Sequence, residues 1–436
     1  MLTVRAPSFA VEGVLCSFDE KRTMKRFSFI ILSAVAASSC GLSGIGKDDR
    51  PSREDIWTNP SADNRVDSSE FSICYATGFD YPDGYDWRSD VERETVKCSL
   101  VVFADGIPVM KVPVGPEYEV SSDPDMHRII GGHLYTDYAT ESETVIRKDG
   151  TQLFRYEGRE LVCGLVVRGE DVYTLGQSRD GQGFSYRKNG ELLLRRETGC
   201  LFGTLVEDRD SLCFSFYETD GTSSENSGRY YNVVEGQVRQ FNPGRDVTKV
   251  WDMLNHDGEI ICLANIYRKT APVILRGERM TSLDMTISTG MLSCRLFMAG
   301  DKVGVDGVFK NQRNGFQHSC IWLDGEKLVS FDKDCYVSSL CTMDEGVCCI
   351  LNSDLESGRG LIYRFGEEVM MPEGYSSVGC STSAVKDGVL HVGLSSLTGG
   401  KPVIWKDGAV DTLDINGHVS SMTVSLPRKW FLTDPD

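Results

Sequence analysis

The chain has 436 residues, 40% hydrophobic, 25% charged and 9% aromatic, which excludes a disordered, collagenous or multispanning protein. Its 64 acidic and 46 basic side chains leave a formal charge of −18. That balance argues against nucleic acid as a partner, since phosphate backbones need a basic face.

In chain order, Met24-Lys25-Arg26 is followed by the apolar run Phe27 to Ala37 and then by Ala37-Ser38-Ser39-Cys40. These are the charged region, short apolar region and small-residue cleavage site of a secretory signal. The apolar run is far shorter than the ~20 residues of a membrane-spanning helix. Residues 1–40 therefore form a signal region whose start is expected at Met24. Cys40, directly after small residues, resembles the cysteine of the bacterial lipoprotein box, which implies lipidation at that position and a membrane attachment through the lipid alone. Residues 41–70 lack periodicity and are rich in Gly, Ser, Asp and Pro, the composition of a flexible tether. Within it, Lys47-Asp48-Asp49 resembles the acidic tags of surface-exported lipoproteins. The expected location is the outer membrane, either periplasmic or surface-exposed.

From residue 71 to 436 a repeat sets the expectation. A turn glycine after a strand-like run recurs at Gly106, Gly150, Gly190, Gly236, Gly277, Gly325, Gly366 and Gly408, at intervals of 44, 40, 46, 41, 48, 41 and 42 residues. Asp-Gly and Asn-Gly at several of these positions supply the positive φ values of two-residue hairpins. A second hairpin precedes most of them, as in Asp257-Gly258-Glu259-Ile260 and Asp387-Gly388-Val389-Leu390, and a small-residue strand such as Leu161-Val162-Cys163-Gly164-Leu165 comes before that. Each unit thus carries four short strands, a to d, the content of one propeller blade. The predicted fold is all-β, an eight-bladed β-propeller of four-stranded antiparallel blades, with seven blades if one unit is degenerate. The first unit opens on Phe71-Ser72-Ile73-Cys74-Tyr75 with no strand a. The segment Gly417 to Val424 supplies a strand with nothing after it, so the C-terminal strand is expected to close the ring.

The elements Val172-Tyr173-Thr174-Leu175-Gly176, Ile404-Trp405-Lys406-Asp407-Gly408 and Ile321-Trp322-Leu323-Asp324-Gly325 resemble those of an uncharacterised group of bacterial secreted and lipoprotein propellers with Tyr-Trp-Lys-Asn-Gly-type repeats. The resemblance covers residues 71 to 425 and implies the fold, with no activity to carry over. The fourth unit departs from it, lacking the tryptophan and carrying a polar insertion from Glu218 to Arg229.

Fifteen cysteines in an exported chain suggest disulfides. Setting Cys16 and Cys40 aside leaves an odd number, however, and Cys163, Cys294, Cys213, Cys262, Cys348 and Cys349 fall at inner-strand positions that suit small apolar side chains. Packing is the expectation, with one or two bridges between neighbouring strands left open. The six histidines show no metal-site spacing and no Cys-x-x-Cys occurs. The glycines around Lys47 lack the strand and helix that aim a phosphate loop. Asp80, Asp83, Asp86 and Asp90 do not have the spacing of a 12-residue calcium loop. No metal or cofactor is expected.

With a–b and c–d tight, the long b–c and d–a loops share one face, where a rigid scaffold commonly carries binding groups. That face is expected to present Tyr81, Tyr85, Trp87 and Arg88 from the first unit, then Tyr118, Trp251, Tyr267, Phe316, Tyr336 and Tyr375. Rings beside charged groups suit the apolar faces and hydroxyls of a sugar and equally the anchors of a protein interface. The expected function is a monomeric, noncatalytic envelope lipoprotein that binds a glycan or an envelope protein. The alternatives are a carbohydrate-active enzyme, a lyase or hydrolase with its site at the axial mouth, and a purely structural subunit.

Overall fold

In this computed structural model the described residues are 72–425, apart from 89–95, 124–125, 179–182, 219–227, 245, 270, 286–288, 312–316, 332–334, 344–345, 354–359, 365 and 378–381. The signal region, Cys40 and the tether lie outside them. Among the described residues no helix is long and apolar enough to cross a membrane.

The protein is an eight-bladed β-propeller. Seven sheets are four-stranded and the eighth has its inner strand in two pieces, Tyr375–Ser376 and Ser383–Lys386. The other inner strands, from blade two onward, are His127–Ile130, Glu160–Arg168, Cys200–Asp208, Val247–His256, Thr289–Ala299 and Cys335–Met343. Blade one takes Ile73–Asp80, Cys98–Ala104 and Ile107–Val114 as strands b to d, and Gly417–Ser425 as strand a. The closure expected from the sequence is therefore present. Gly417–Ser425 pairs antiparallel with Ile73–Asp80 over its whole length, and neighbouring inner strands touch one another around the circle.

The tight turns form because their residues satisfy two demands at once. In the c–d turns Asp105, Asp149, Asn189, Glu235 and Asp324 adopt φ between 48° and 51°. Each donates its backbone N–H to the carbonyl of the second residue of strand b: Cys74, Leu134, Val172, Leu212 and Val303 in turn. The side-chain oxygen of each also accepts the N–H of that same residue, at 2.6 to 3.1 Å. An acceptor side chain next to glycine thus ties c–d to b, which a glycine pair could not do.

The core is divided among the gaps between blades. Eight buried clusters are found among the described residues, one at each junction of neighbouring blades. The aromatic three positions before the c–d glycine fills the junction with the preceding blade: Phe103 against blade eight, Trp322 against blade five, Tyr363 against blade six and Trp405 against blade seven. Blades two and three place Arg147 and Arg187 there. The Arg187 guanidinium lies over the Tyr156 ring of the preceding blade, 4.1 Å from its centre, and pairs with Glu160. The cation thereby keeps the stacking role of the missing ring.

Eight of the described cysteines are buried. Burial pushes the thiols of Cys74 and Cys163 up to about 12 and those of Cys98 and Cys213 up to about 11. They stay protonated and pack as small apolar groups, as the positions of Cys163 and Cys213 in the repeat indicated.

Candidate functional site

The first aromatic group of the long-loop face is spent on the ring closure. Tyr81 and Trp87 are each 5% exposed. Trp87 lies 4.8 Å from the His418 ring on the closing strand, and Tyr81 lies 5.1 Å from Tyr85 and 6.0 Å from His418. The Asn416 side-chain amide donates to the carbonyls of Tyr81 and Pro82, and Tyr81 N–H donates to the Asn416 carbonyl. Arg88 pairs with Asp86 at 2.6 Å and donates to the Leu397 carbonyl of blade eight. The expectation of an open platform at Tyr81 and Trp87 is therefore corrected. Their rings pack with Phe79 into the junction of blades one and two, because the histidine of the closing strand gives them a surface to cover.

Asp80 and Asp86 are likewise engaged: Asp80 accepts Lys111 and the Asn416 N–H, and Asp86 accepts Arg88. Asp90 lies outside the described residues. No group of three or more His, Cys, Asp or Glu side chains suited to a metal occurs among those described.

The buried ionisable groups of the inner wall hold blades together. Asp252 on the inner strand of blade five accepts the N–H of Met253 at 2.9 Å and that of Leu296, on the next blade, at 2.7 Å. Burial nonetheless pushes its carboxyl up to about 7, against the two amides and Arg295. On blade six Arg295 and Asp306 face each other across strands a and b at 2.7 Å. The second Asp306 oxygen is buried without a partner, and burial raises this carboxyl too. His127 and His418 flank Phe79 at 5.3 and 5.2 Å. The His127 Nε2 donates to the Ser121 carbonyl, and burial pushes its imidazole down to about 3, so it is neutral.

The accessible group lies on blade five. Its inner strand has two irregularities against strand b, at Thr248 and at Trp251. An extra residue bends a strand and re-aims its side chains. Here it brings Lys249 Nζ to 3.8 Å over the Trp251 ring, and Trp251 Nε1 donates to Asn265 Oδ1 at 3.0 Å. Strand b, Glu259–Ile266, ends beside them and leads into Tyr267, which is 62% exposed. Arg268, at φ 64°, turns the chain so that its guanidinium lies 5.2 Å from the Tyr267 ring centre. Lys269 follows, its Nζ 3.1 Å from Met280 Sδ. Lys249, Arg268 and Lys269 have no carboxylate partner among the described residues.

The remaining expected residues do not join this group. Tyr118 is exposed on the 3-10 turn Pro116–Tyr118, between blades one and two. Tyr375 begins the inner strand of blade eight and packs partly into the junction with blade seven. Tyr336 lies on the inner strand of blade seven, its backbone paired with Asn352. Phe316 lies outside the described residues. Sequence reading missed Lys249, Asn265 and Lys269. The available signal was the broken alternation of Val247-Thr248-Lys249-Val250-Trp251-Asp252, where a regular strand would alternate.

No protein-family model and no curated protein matches the chain. Among solved structures it is similar to the β-propeller domain of the Trilobed protease from Pyrococcus furiosus, described as having an open velcro topology. Identity is 12% over 63% of this chain and 86% of that one, with a TM-score of 0.41. It is also similar to an acylaminoacyl peptidase from Pyrococcus horikoshii, at 10% identity over 75% of this chain and 58% of that one, again with a TM-score of 0.41. These likenesses concern the fold alone.

Proposed function

We propose that the protein is a noncatalytic binding module of the cell envelope, anchored through Cys40, that engages a glycan through its long-loop face. The observation that carries this reading is the blade-five corner, where an exposed tyrosine stands beside fixed donors on a closed, rigid ring. A sugar offers an apolar face to such a ring and hydroxyls to Asn265 and the neighbouring cations. A protein partner is less well served: specific interfaces need about 800 Å² per partner, and here the exposed rings of Tyr267 and Tyr118 stand apart. The catalytic alternative requires accessible carboxylates at the axial mouth. Asp252 is buried and engaged by two amides, and Asp306, with one oxygen on Arg295 and the other unpartnered, is buried within the wall.

A glycan array probed with the purified protein and with Tyr267→Ala tests the reading. The wild type is expected to bind a defined set of glycans, and the variant to bind them about tenfold more weakly, the loss of one stacking contact. An array on which the wild type binds nothing overturns the proposal. Release of new reducing ends from a bound polysaccharide would replace it with the hydrolase or lyase reading.

A further inference from the structure

Blade seven carries cysteines on facing strands. Cys341, on the inner strand Cys335–Met343, stands directly opposite Cys348, on strand b, Gly346–Ser353. Among the described residues no other two cysteines oppose each other in a ladder; Cys74 faces Val424, Cys98 faces Val114 and Cys294 faces Gly307, for example. We propose that Cys341 and Cys348 are a thiol–disulfide pair, closed by a disulfide oxidant, that fastens strand a of blade seven to strand b beside the divided inner strand of blade eight. Opposed residues of an antiparallel ladder keep their Cα atoms about 4.5–5.5 Å apart, within the span of about 4.4–6.8 Å that a disulfide accepts. Bonding draws their Cβ atoms together by about 1 Å, close to the end of the ladder at Met343 and Gly346.

Alternation along the strands decides which sulfur can bond. Leu340, Cys349 and Tyr363 form one row across the sheet and pack into the junction with blade six. Cys341, Cys348 and Arg364 form the next row, on the face toward blade eight. There Cys348 is fully buried, Cys341 packs against the same cluster, and Arg364 pairs with Asp407 of blade eight. Cys349, although adjacent in sequence, projects from the opposite face and cannot replace Cys348. The junction with blade eight is also where a fastening matters, because the inner strand of that blade is divided into Tyr375–Ser376 and Ser383–Lys386. Its second piece is tied to blade seven by a 2.6 Å hydrogen bond between the hydroxyls of Ser383 and Ser339, and Ser339 lies two residues before Cys341 on the same strand.

Unequal exposure sets the order of the reaction. Half-buried Cys341 gives its proton to solvent and attacks one sulfur of a low-molecular-weight disulfide, forming a mixed disulfide and releasing the other half as a thiolate. Cys348 then gives up its own proton and attacks Cys341 Sγ. The bond between the strands forms as the mixed disulfide breaks, and the second thiolate leaves. The two cysteines lose two electrons, and the oxidant gains them and takes up two protons to become two thiols.

Peptide mapping tests this pairing. The purified protein is incubated with oxidised glutathione, its remaining thiols are alkylated in denaturant, and the chain is cut with a glutamate-specific protease. Glu345 lies between the two cysteines, so a bond between them joins two fragments that reduction separates. Joined fragments are expected from the wild type and from Cys349→Ala, and none from Cys341→Ser, whose altered side chain is half-buried and spares the core. Oxidation is also expected to raise the melting temperature of the wild type and to leave that of Cys341→Ser unchanged, because the cross-link restrains the unfolded chain. Separate fragments from the oxidised wild type, or joined fragments that survive Cys341→Ser or vanish in Cys349→Ala, overturn the pairing. Joined fragments with no rise in melting temperature, or with an equal rise in Cys341→Ser, overturn the fastening of blade seven.

Discussion

Two buried residues near the axis give the protein opposing responses to pH. Asp252 has its carboxyl raised from 3.8 to about 7 by burial. The folded state therefore holds a proton that the unfolded chain has lost, and this stabilisation is full below pH 3.8 and lost as pH rises to about 7. His127 has its imidazole lowered from 6.5 to about 3, so its contribution is full above pH 6.5 and lost as pH falls toward 3. Asp306 acts in the direction of Asp252, and His391 in the direction of His127. Between about pH 4 and 6.5 the two slopes oppose each other, each worth about 1 kcal/mol per pH unit. Urea denaturation across that window should show Asp252→Asn losing stability on acidification and His127→Gln gaining it, relative to a flatter wild type. Parallel pH profiles for the two variants would contradict the assignment. Neither residue was legible in the sequence as an ionisable group under strain, because its burial is created by the adjoining blade.

At the scale of strands and turns, the sequence was far more transparent. Hairpin geometry is local, so Asp149-Gly150 or Asn189-Gly190 announces a c–d turn without knowledge of the neighbours. Irregularities are not local. In blades one, two, three and six the outer strand takes one extra residue, which falls at Val109, Leu153, Leu193 and Leu328. Such a break on an exposed edge hinders pairing with another chain, yet nothing in Leu192-Leu193-Leu194 marks it beforehand. The closing strand has a comparable hidden constraint at Gly417. A Cβ there would collide with the Phe79 carbonyl oxygen and approach the Tyr81 ring to 3.1 Å. Since Gly417 pairs with Asp80 in the closing ladder, neither backbone can retreat without loosening it. Gly417→Ala should cost about 1–3 kcal/mol, read as a lower urea midpoint with an unchanged slope. A midpoint equal to the wild type would show that the seam is looser than its geometry.

On the scale of the whole ring, fold and site differed in legibility for a physical reason. Eight similar units must bury their faces against one another, so the repeat itself determines the architecture. A loop aromatic looks the same in sequence whether it covers a seam or meets solvent. Trp87 was indistinguishable from Tyr267 until His418, more than 300 residues away in the chain, was seen beneath it. The distributed core makes closure a global requirement. Val419 and Met422 of the closing strand sit in the junction of blades eight and one, and His418 supports Phe79 at the junction of blades one and two. Thr77 Oγ1 is also within 2.7 Å of the hydroxyls of both Ser420 and Ser421. Removing residues 417–436 therefore opens two junctions and bares the backbone edge of Ile73–Asp80, an unprotected template for pairing with another chain. Because each remaining junction borders another, the loss is expected to spread, leaving a chain that aggregates on size-exclusion chromatography and lacks a cooperative thermal transition. A truncated protein that stayed monomeric and melted at the wild-type temperature would mean that seven blades and a fragment suffice, and that the ring owes its stability to the blades alone.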